Sequence, residues 1–169
     1  MRHEGVRVVV GILSDTHDKV EATRMALATL GHGGAEFYIH CGDVGGEQIL
    51  DLLAGLPCAF VWGNNDWDRT SLLRYAEQLG LNCYGNQADL ELDGKRIVVM
   101  HGDHESAKRK ALESQEYDYL LHGHTHMRED RRVGRTRVIN PGALHRAREK
   151  TVATLNLSTD LLRFVAVNI

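Results

Sequence analysis

The chain has 169 residues, with 20 Lys and Arg against 23 Asp and Glu, and 43% of its residues are hydrophobic. That composition excludes a disordered or low-complexity chain, and a formal charge of -3 removes the simplest case for a general nucleic-acid binder, which needs a basic balance. Ten histidines beside 3 cysteines and 2 prolines are the unusual figure, because imidazole is the commonest metal ligand and titrates near neutral pH.

Val6–Leu13 is a continuous β-branched run, too short to cross a membrane and without a signal-peptide cleavage pattern, and it predicts a strand buried on both faces. Val20–Leu30 is amphipathic and ends at Gly31 and Gly33-Gly34, as a helix does. Phe37–His40 predicts a second strand, Gln48–Leu53 a second helix and Ala59–Trp62 a third strand. Asp68–Leu79 follows as a third helix with Asp68 as its N-cap. This alternation implies parallel strands covered by helices. The second half changes character. Asp89–Leu92 and Lys95–Met100 flank the hairpin signal Asp93-Gly94; a charged helix is expected at Glu105–Gln115 and a strand at Tyr117–Leu121. Arg137–Asn140, Thr151–Leu157 and Leu161–Val167 complete the strands, the last two turning at Ser158–Asp160. The expectation is one domain over residues 1–169 with two sheets, one mainly parallel and one mixed. Cys41, Cys58 and Cys83 lack metal-site or disulfide spacing and fit buried thiols in a reducing cytoplasm.

The polar residues fall at strand ends. Asp15 and His17 follow the first strand, Asp43 the second, Asn64-Asn65-Asp66 the third, His101 the hairpin strand, and His122, His124 and His126 the Tyr117–Leu121 strand. Ligands of open α/β sheets bind in the crevice at such ends. In Asp15-x-His17 and His124-x-His126, extended backbone would aim residues i and i+2 to one side. Gly11, Gly42, Gly63, Gly102 and Gly123 lie in or beside these segments, where they allow tight turns and close approach of backbone to an ion or phosphate. Two Asp, one Asn and four His make a mixed oxygen and nitrogen set too large for one tetrahedral ion. It suits two ions of the Mn, Fe, Zn or Ni type, which about 3.5–4 Å apart clamp a phosphoryl group and activate water.

In order, Asp15-Thr16-His17, Gly42-Asp43, Gly63-Asn64-Asn65-Asp66, His101-Gly102 and Gly123-His124-Thr125-His126 resemble the motifs of the calcineurin-like metallophosphoesterase superfamily. With the later Ile139-Asn140-Pro141-Gly142, the chain looks like the small bacterial and archaeal phosphodiesterase branch, which is similar to the retromer subunit Vps29. The resemblance spans essentially the whole chain. It implies a four-layer αββα sandwich with two mixed sheets. It further implies one ion on Asp15, His17, Asp43 and His126, and a second on Asp43, Asn64, His101 and His124, with Asp43 bridging. Asp15, Asp43, Asn64 and His101 then carry catalysis, a metal-bridging hydroxide attacking phosphorus in line. The implied activity is hydrolysis of small phosphodiesters or nucleotides with two divalent ions, manganese foremost. A Vps29-like scaffold that keeps its metal site, and a nuclease, are the alternatives. Stable nucleic-acid binding and membrane association are not expected, and a homo-oligomer is left open.

Two positions depart from the family. Many relatives carry histidine where Asn65 stands, and an amide cannot act as a general acid, so good leaving groups should be favoured. Relatives often read His-Gly-His where this chain reads His101-Gly102-Asp103-His104, and Asp103 either contacts a metal-held water or caps the next helix. His122 and His40 are expected as supporting or packing histidines, and His3, His32 and His145 at the surface, with His145 able to line the site. The Arg128–Arg137 arginines fit a solvated strand edge around a turn at Val133-Gly134, with a phosphate-steering rim as the rival view. Trp62, Trp67 and Tyr75 are expected to pack.

Overall fold

Alternate residues of β1 (Val9–Leu13) serve two different cores, and that alternation sets the layering. Val10 and Ile12 point into one apolar cluster, whereas Leu13 joins another together with residues of the covering helices. The computed structural model describes residues 8–169; Val6 and Arg7 of the expected first strand, and His3, lie outside the described residues.

After β1 come α1 (Val20–His32), β2 (Phe37–His40), α2 (Glu47–Leu53), β3 (Cys58–Phe60), α3 (Arg69–Gln78) and β4 (Asn82–Cys83). The chain continues with β5 (Gln87–Leu92), β6 (Lys95–Met100), α4 (Glu105–Ser114), β7 (Tyr119–Leu121), β8 (Glu129–Val133), β9 (Thr136–Asn140), β10 (Thr151–Asn156) and β11 (Leu161–Ala166). One sheet has the order β11-β10-β1-β2-β3-β4 and the other β5-β6-β7-β9-β8. Both are mixed: β1 to β4 run parallel and β10 and β11 antiparallel in the first, and β6, β7 and β9 run parallel between antiparallel β5 and β8 in the second.

Three apolar clusters cement the layers. Leu30, Ile49, Leu50 and Leu72 of α1–α3 pack on Leu13 and Phe60, and Ile12, Ile39 and Val61 face Ile97, Val99, Leu121 and Ile139 between the sheets. Ala111 of α4 packs on Val98, Leu120 and Val138 outside the second sheet. The layering is therefore αββα.

Several local expectations need correction. α1 runs on through Gly31 to His32 before Gly33 ends it. β4 was not anticipated, since a two-residue strand carries no readable period. The β8–β9 turn lies at Gly134-Arg135, one residue beyond the expected place, because Val133 pairs with Thr136. Gly11 approaches no ion site: a Cβ there would lie 3.0 Å from Ala35 Cβ and 3.2 Å from Leu30 Cδ1, so its bareness lets α1 close on β1. The other expected elements fall within two residues of their place, and Asp68 caps α3 by accepting from the Ser71 N–H.

Candidate metal centre

The parallel strands β1, β2, β3, β6 and β7 all end at one edge of the two facing sheets, and the loops that leave them carry the seven expected ligands. Asp15, His17, Asp43, His124 and His126 all have positive φ, between 42° and 69°. The extended geometry expected for Asp15-x-His17 and His124-x-His126 is thus wrong; each pair turns inward through left-handed backbone. Such backbone is unfavourable for residues with a Cβ and persists where the surroundings over-determine it, as they do at ligand sites.

The side chains converge. His17 Nε2 lies 3.2 Å from Asp43 Oδ2 and 3.7 Å from Asp15 Oδ1. His101 Nε2 lies 3.2 Å from Asp43 Oδ2 and 3.9 Å from Asp15 Oδ1, and His126 Nε2 is 3.1 Å from Asp15 Oδ1. His124 Nδ1 sits 3.1 Å from Asn64 Oδ1, and its ring centre is 5.1 Å from that of His101. Ligand atoms of Asp15, His17 and His126 lie within 4.8 Å of one another, as do those of Asp15, Asp43 and His101. These two groups share Asp15, whereas the resemblance gives the bridging role to Asp43. Asp43 Oδ2 also faces both groups, at equal distance from His17 and His101.

Asp15 Oδ1, His17 Nε2 and His101 Nε2 are buried without a hydrogen-bond partner. Orphaned buried polar atoms are rare and costly, and three aimed at one another fit a cation between them. The cradle is tight: a Cβ on Gly63 would stand 2.1 Å from Asp43 Oδ1, and one on Gly123 2.6 Å from Asp15 Oδ2. The Asp15 and Asp43 carboxylates beside it push His17 up to about 9, against the opposing effect of burial. Burial raises the Asp43 carboxyl, but His101, His17 and Asn65 outweigh it and hold it well below the usual carboxylate range. The protein without metal therefore holds protons where a divalent ion would sit.

A second layer orients the first. His101 Nδ1 is 2.8 Å from the Cys41 carbonyl, which can only accept, so Nδ1 carries the proton and the Nε2 lone pair faces the centre. Ser14 Oγ and the His124 N–H donate to Asp15 Oδ2. The Asn65 N–H donates to Asp43 Oδ1 at 2.8 Å and its side-chain amide to Oδ2 at 2.9 Å. This orienting role of Asn65 was missed; its place within Asn64-Asn65-Asp66 was the available signal. Asp66 accepts from the N–H groups of Val44, Gly45 and Gly63, and Asn140 Nδ2 donates to the Gly123 carbonyl, so both ligand loops are tied to neighbours. Buried His40 accepts from the Gly42 N–H through Nδ1 and contacts Thr16 Oγ1 through Nε2, and burial pulls it down to about 4.

The remaining expected positions sort by contact. His122 turns away from the centre, its Nε2 2.6 Å from Glu129 Oε2 on β8. His145 packs its ring 4.8 Å from that of His17, beside a cavity of about 610 Å³. Asp103 is not the cap of α4, which His104 occupies; it lies 3.5 Å from His104. Arg128, Arg131, Arg132, Arg135 and Arg137 each pair with a carboxylate, and β8 is an edge strand, as the solvated-edge view expects. Trp62 packs against Phe60, and Tyr75 donates to Asp51, but Trp67 packs into no core: it is 83% exposed.

Comparison with known proteins agrees with this fold. The chain is 32% identical over 136 residues to the phosphodiesterase MJ0936 of Methanocaldococcus jannaschii, covering 79% of this chain and 82% of the relative. A solved archaeal phosphodiesterase superposes with a TM-score of 0.87 at 27% identity, over 94% of this chain and 99% of its own. The zinc complex of Vps29 from Entamoeba histolytica shares the fold, with a TM-score of 0.65 at 20% identity over 95% of this chain and 100% of its own. Residues 8–160, which hold all five ligand loops, match the calcineurin-like phosphoesterase superfamily domain, and the chain belongs to that superfamily.

Proposed function

We propose that this protein is a phosphodiesterase that works with two divalent transition-metal ions, manganese foremost, and acts on small phosphodiesters in the cytoplasm as a single domain. Asp15, His17, Asp43 and His126 would hold one ion, and Asp43, Asn64, His101 and His124 the other. The observation that carries the proposal is the trio of orphaned buried atoms on Asp15, His17 and His101. Bound divalent ions supply Lewis acidity toward a phosphoryl oxygen and activation of water at neutral pH.

The chain's own residues do the positioning. Asn65 clamps both oxygens of Asp43, and the Cys41 carbonyl sets the His101 tautomer. Asn64 and His124 are exposed at the mouth, where an incoming phosphate first meets the protein. The Asn65 amide can hold a carboxylate but cannot protonate a leaving group, so esters with good leaving groups are the favoured substrates. The arginines of β8 and β9 are spent on carboxylates, which supports a small substrate over a nucleic-acid strand. The complete ligand set supports an enzyme over a scaffold.

Manganese-supplemented protein is expected to hydrolyse bis(p-nitrophenyl) phosphate, with activity falling in mild acid as the ligand histidines protonate. Full activity of Asp43→Ala after thorough chelation overturns the proposal.

A further inference from the structure

Trp67 is the most exposed large hydrophobic residue among those described, at 83%, and Met127 follows at 68%. Each stands next to the centre in the chain: Trp67 three residues after Asn64, Met127 directly after His126. An exposed indole keeps a large apolar face and a polar N–H edge available for contact.

The ring is held in place. Trp67 Nε1 donates to the Asn64 carbonyl at 3.1 Å, which fixes the ring by its polar edge and leaves its faces free. The loop beneath is pinned from several sides. Arg69 donates to the carbonyls of Asp66 and Gly63 at 2.9 and 2.8 Å and to Asn86 Oδ1 at 2.6 Å. The buried Asp66 carboxylate takes three further N–H groups, and Asp68 opens α3. The result is an aromatic face hydrogen-bonded to the backbone of an expected ligand at the lip of the centre. Its neighbours Asn64, Asn65 and Asp68 are exposed and polar, so the ring is a lone apolar surface rather than part of an interface-sized patch.

Building on the phosphodiesterase reading above, we propose that Trp67 is a stacking platform for a planar ring of the substrate, a nucleobase or an aryl group, whose phosphodiester lies at the metal centre. Stacking asks only for a π-face, which every base and aryl group has, so the platform selects a substrate class rather than one base. Met127 offers a soft second contact near His126.

Tryptophan fluorescence reads this directly, because the other tryptophan, Trp62, is 5% exposed and packed against Phe60. Zinc-loaded protein is titrated with adenosine 5′-monophosphate, phenyl phosphate and ribose 5-phosphate. The first two are expected to shift or quench the emission and the third to leave it unchanged; the stronger of the first two tells nucleobase from aryl group. By calorimetry, Trp67→Ala should cut the affinity ratio of adenosine monophosphate over ribose 5-phosphate by about 5-fold to 100-fold, and Trp67→Phe should restore most of it. A ratio unchanged in Trp67→Ala overturns the platform. So does a Trp67→Ala protein that keeps the ratio but turns from oligomer to monomer by sedimentation, which would make the ring a contact between copies. Ring-dependent binding without hydrolysis of bis(p-nitrophenyl) phosphate leaves the platform standing and removes the phosphodiesterase reading instead.

Discussion

Arg137 and His101 both sit among carboxylates, and the protein treats them in opposite ways. Arg137, whose side chain is 13% exposed, reaches Asp130 at 2.8 and 3.0 Å and Asp160 at 2.9 Å, and Asp160 also takes hydrogen bonds from Tyr119 and Arg132. In that cluster opposite charges are matched. His101 donates through Nδ1, yet its Nε2 is left without a partner 3.2 Å from an Asp43 oxygen. Asp15 and His17 are left open in the same way. Density of charged residues therefore does not separate a structural cluster from a functional one; the balance of donors and acceptors does. Backbone conformation does not make that division: left-handed residues occur at five of the seven expected ligands and also at Asp160 of the paired cluster.

The largest test of this contrast is Asp43→Ala or His101→Ala, each expected to lower hydrolysis of bis(p-nitrophenyl) phosphate at least about a thousandfold while the protein stays folded. A mild loss would mean the orphaned atoms are not the reacting centre. Asn65→Ala should follow, with metal affinity or activity down about 10- to 100-fold, as for other residues that orient a ligand. An unchanged metal titration would show that Asp43 needs no clamp.

Protonation sharpens the comparison in the metal-free protein. His17 is raised from 6.5 to about 9, so its stabilising contribution is fully present below pH 6.5 and is lost as the pH rises through 9. Chelated protein should lose on the order of 2 kcal/mol of stability over that interval by denaturant melts, and His17→Gln should flatten the dependence. Metal-loaded protein should show the reverse trend, gaining stability from its ions as the histidines deprotonate. Matching slopes in the two forms would break the proposed link between orphaned atoms and metal.

The smallest effect belongs to the paired cluster. Arg137→Ala is expected to cost about 1 kcal/mol, since its acidic partners are partly exposed and screened, and to leave the metal titration unchanged. A loss of metal binding there would mean the two regions are coupled.

The strand-end placement of the seven expected ligands was legible because parallel strands end at a common edge, but the strand ends alone do not single them out, since Asp66 and His122 stand past the same ends. The element order was legible for the same reason: apolar periodicity survives without tertiary context. Asn65 was readable only as a missing histidine; that its amide grips Asp43 depends on a loop 22 residues away in sequence. The exposure of Trp67 could not be read either, because an aromatic residue near a strand end packs or projects according to what the facing layers leave uncovered.

By itself, the sequence determined the element order, the division into two sheets, the strand ends and the donor types, since periodicity, turn residues and ligand chemistry are local properties. Only the tertiary structure decided which donors are left unsatisfied, how left-handed backbone turns Asp15, His17 and His126 inward, and that the arginines of β8 and β9 are neutralised in pairs. Those are questions of partners, and partners are set by distances across the fold rather than by neighbours along the chain.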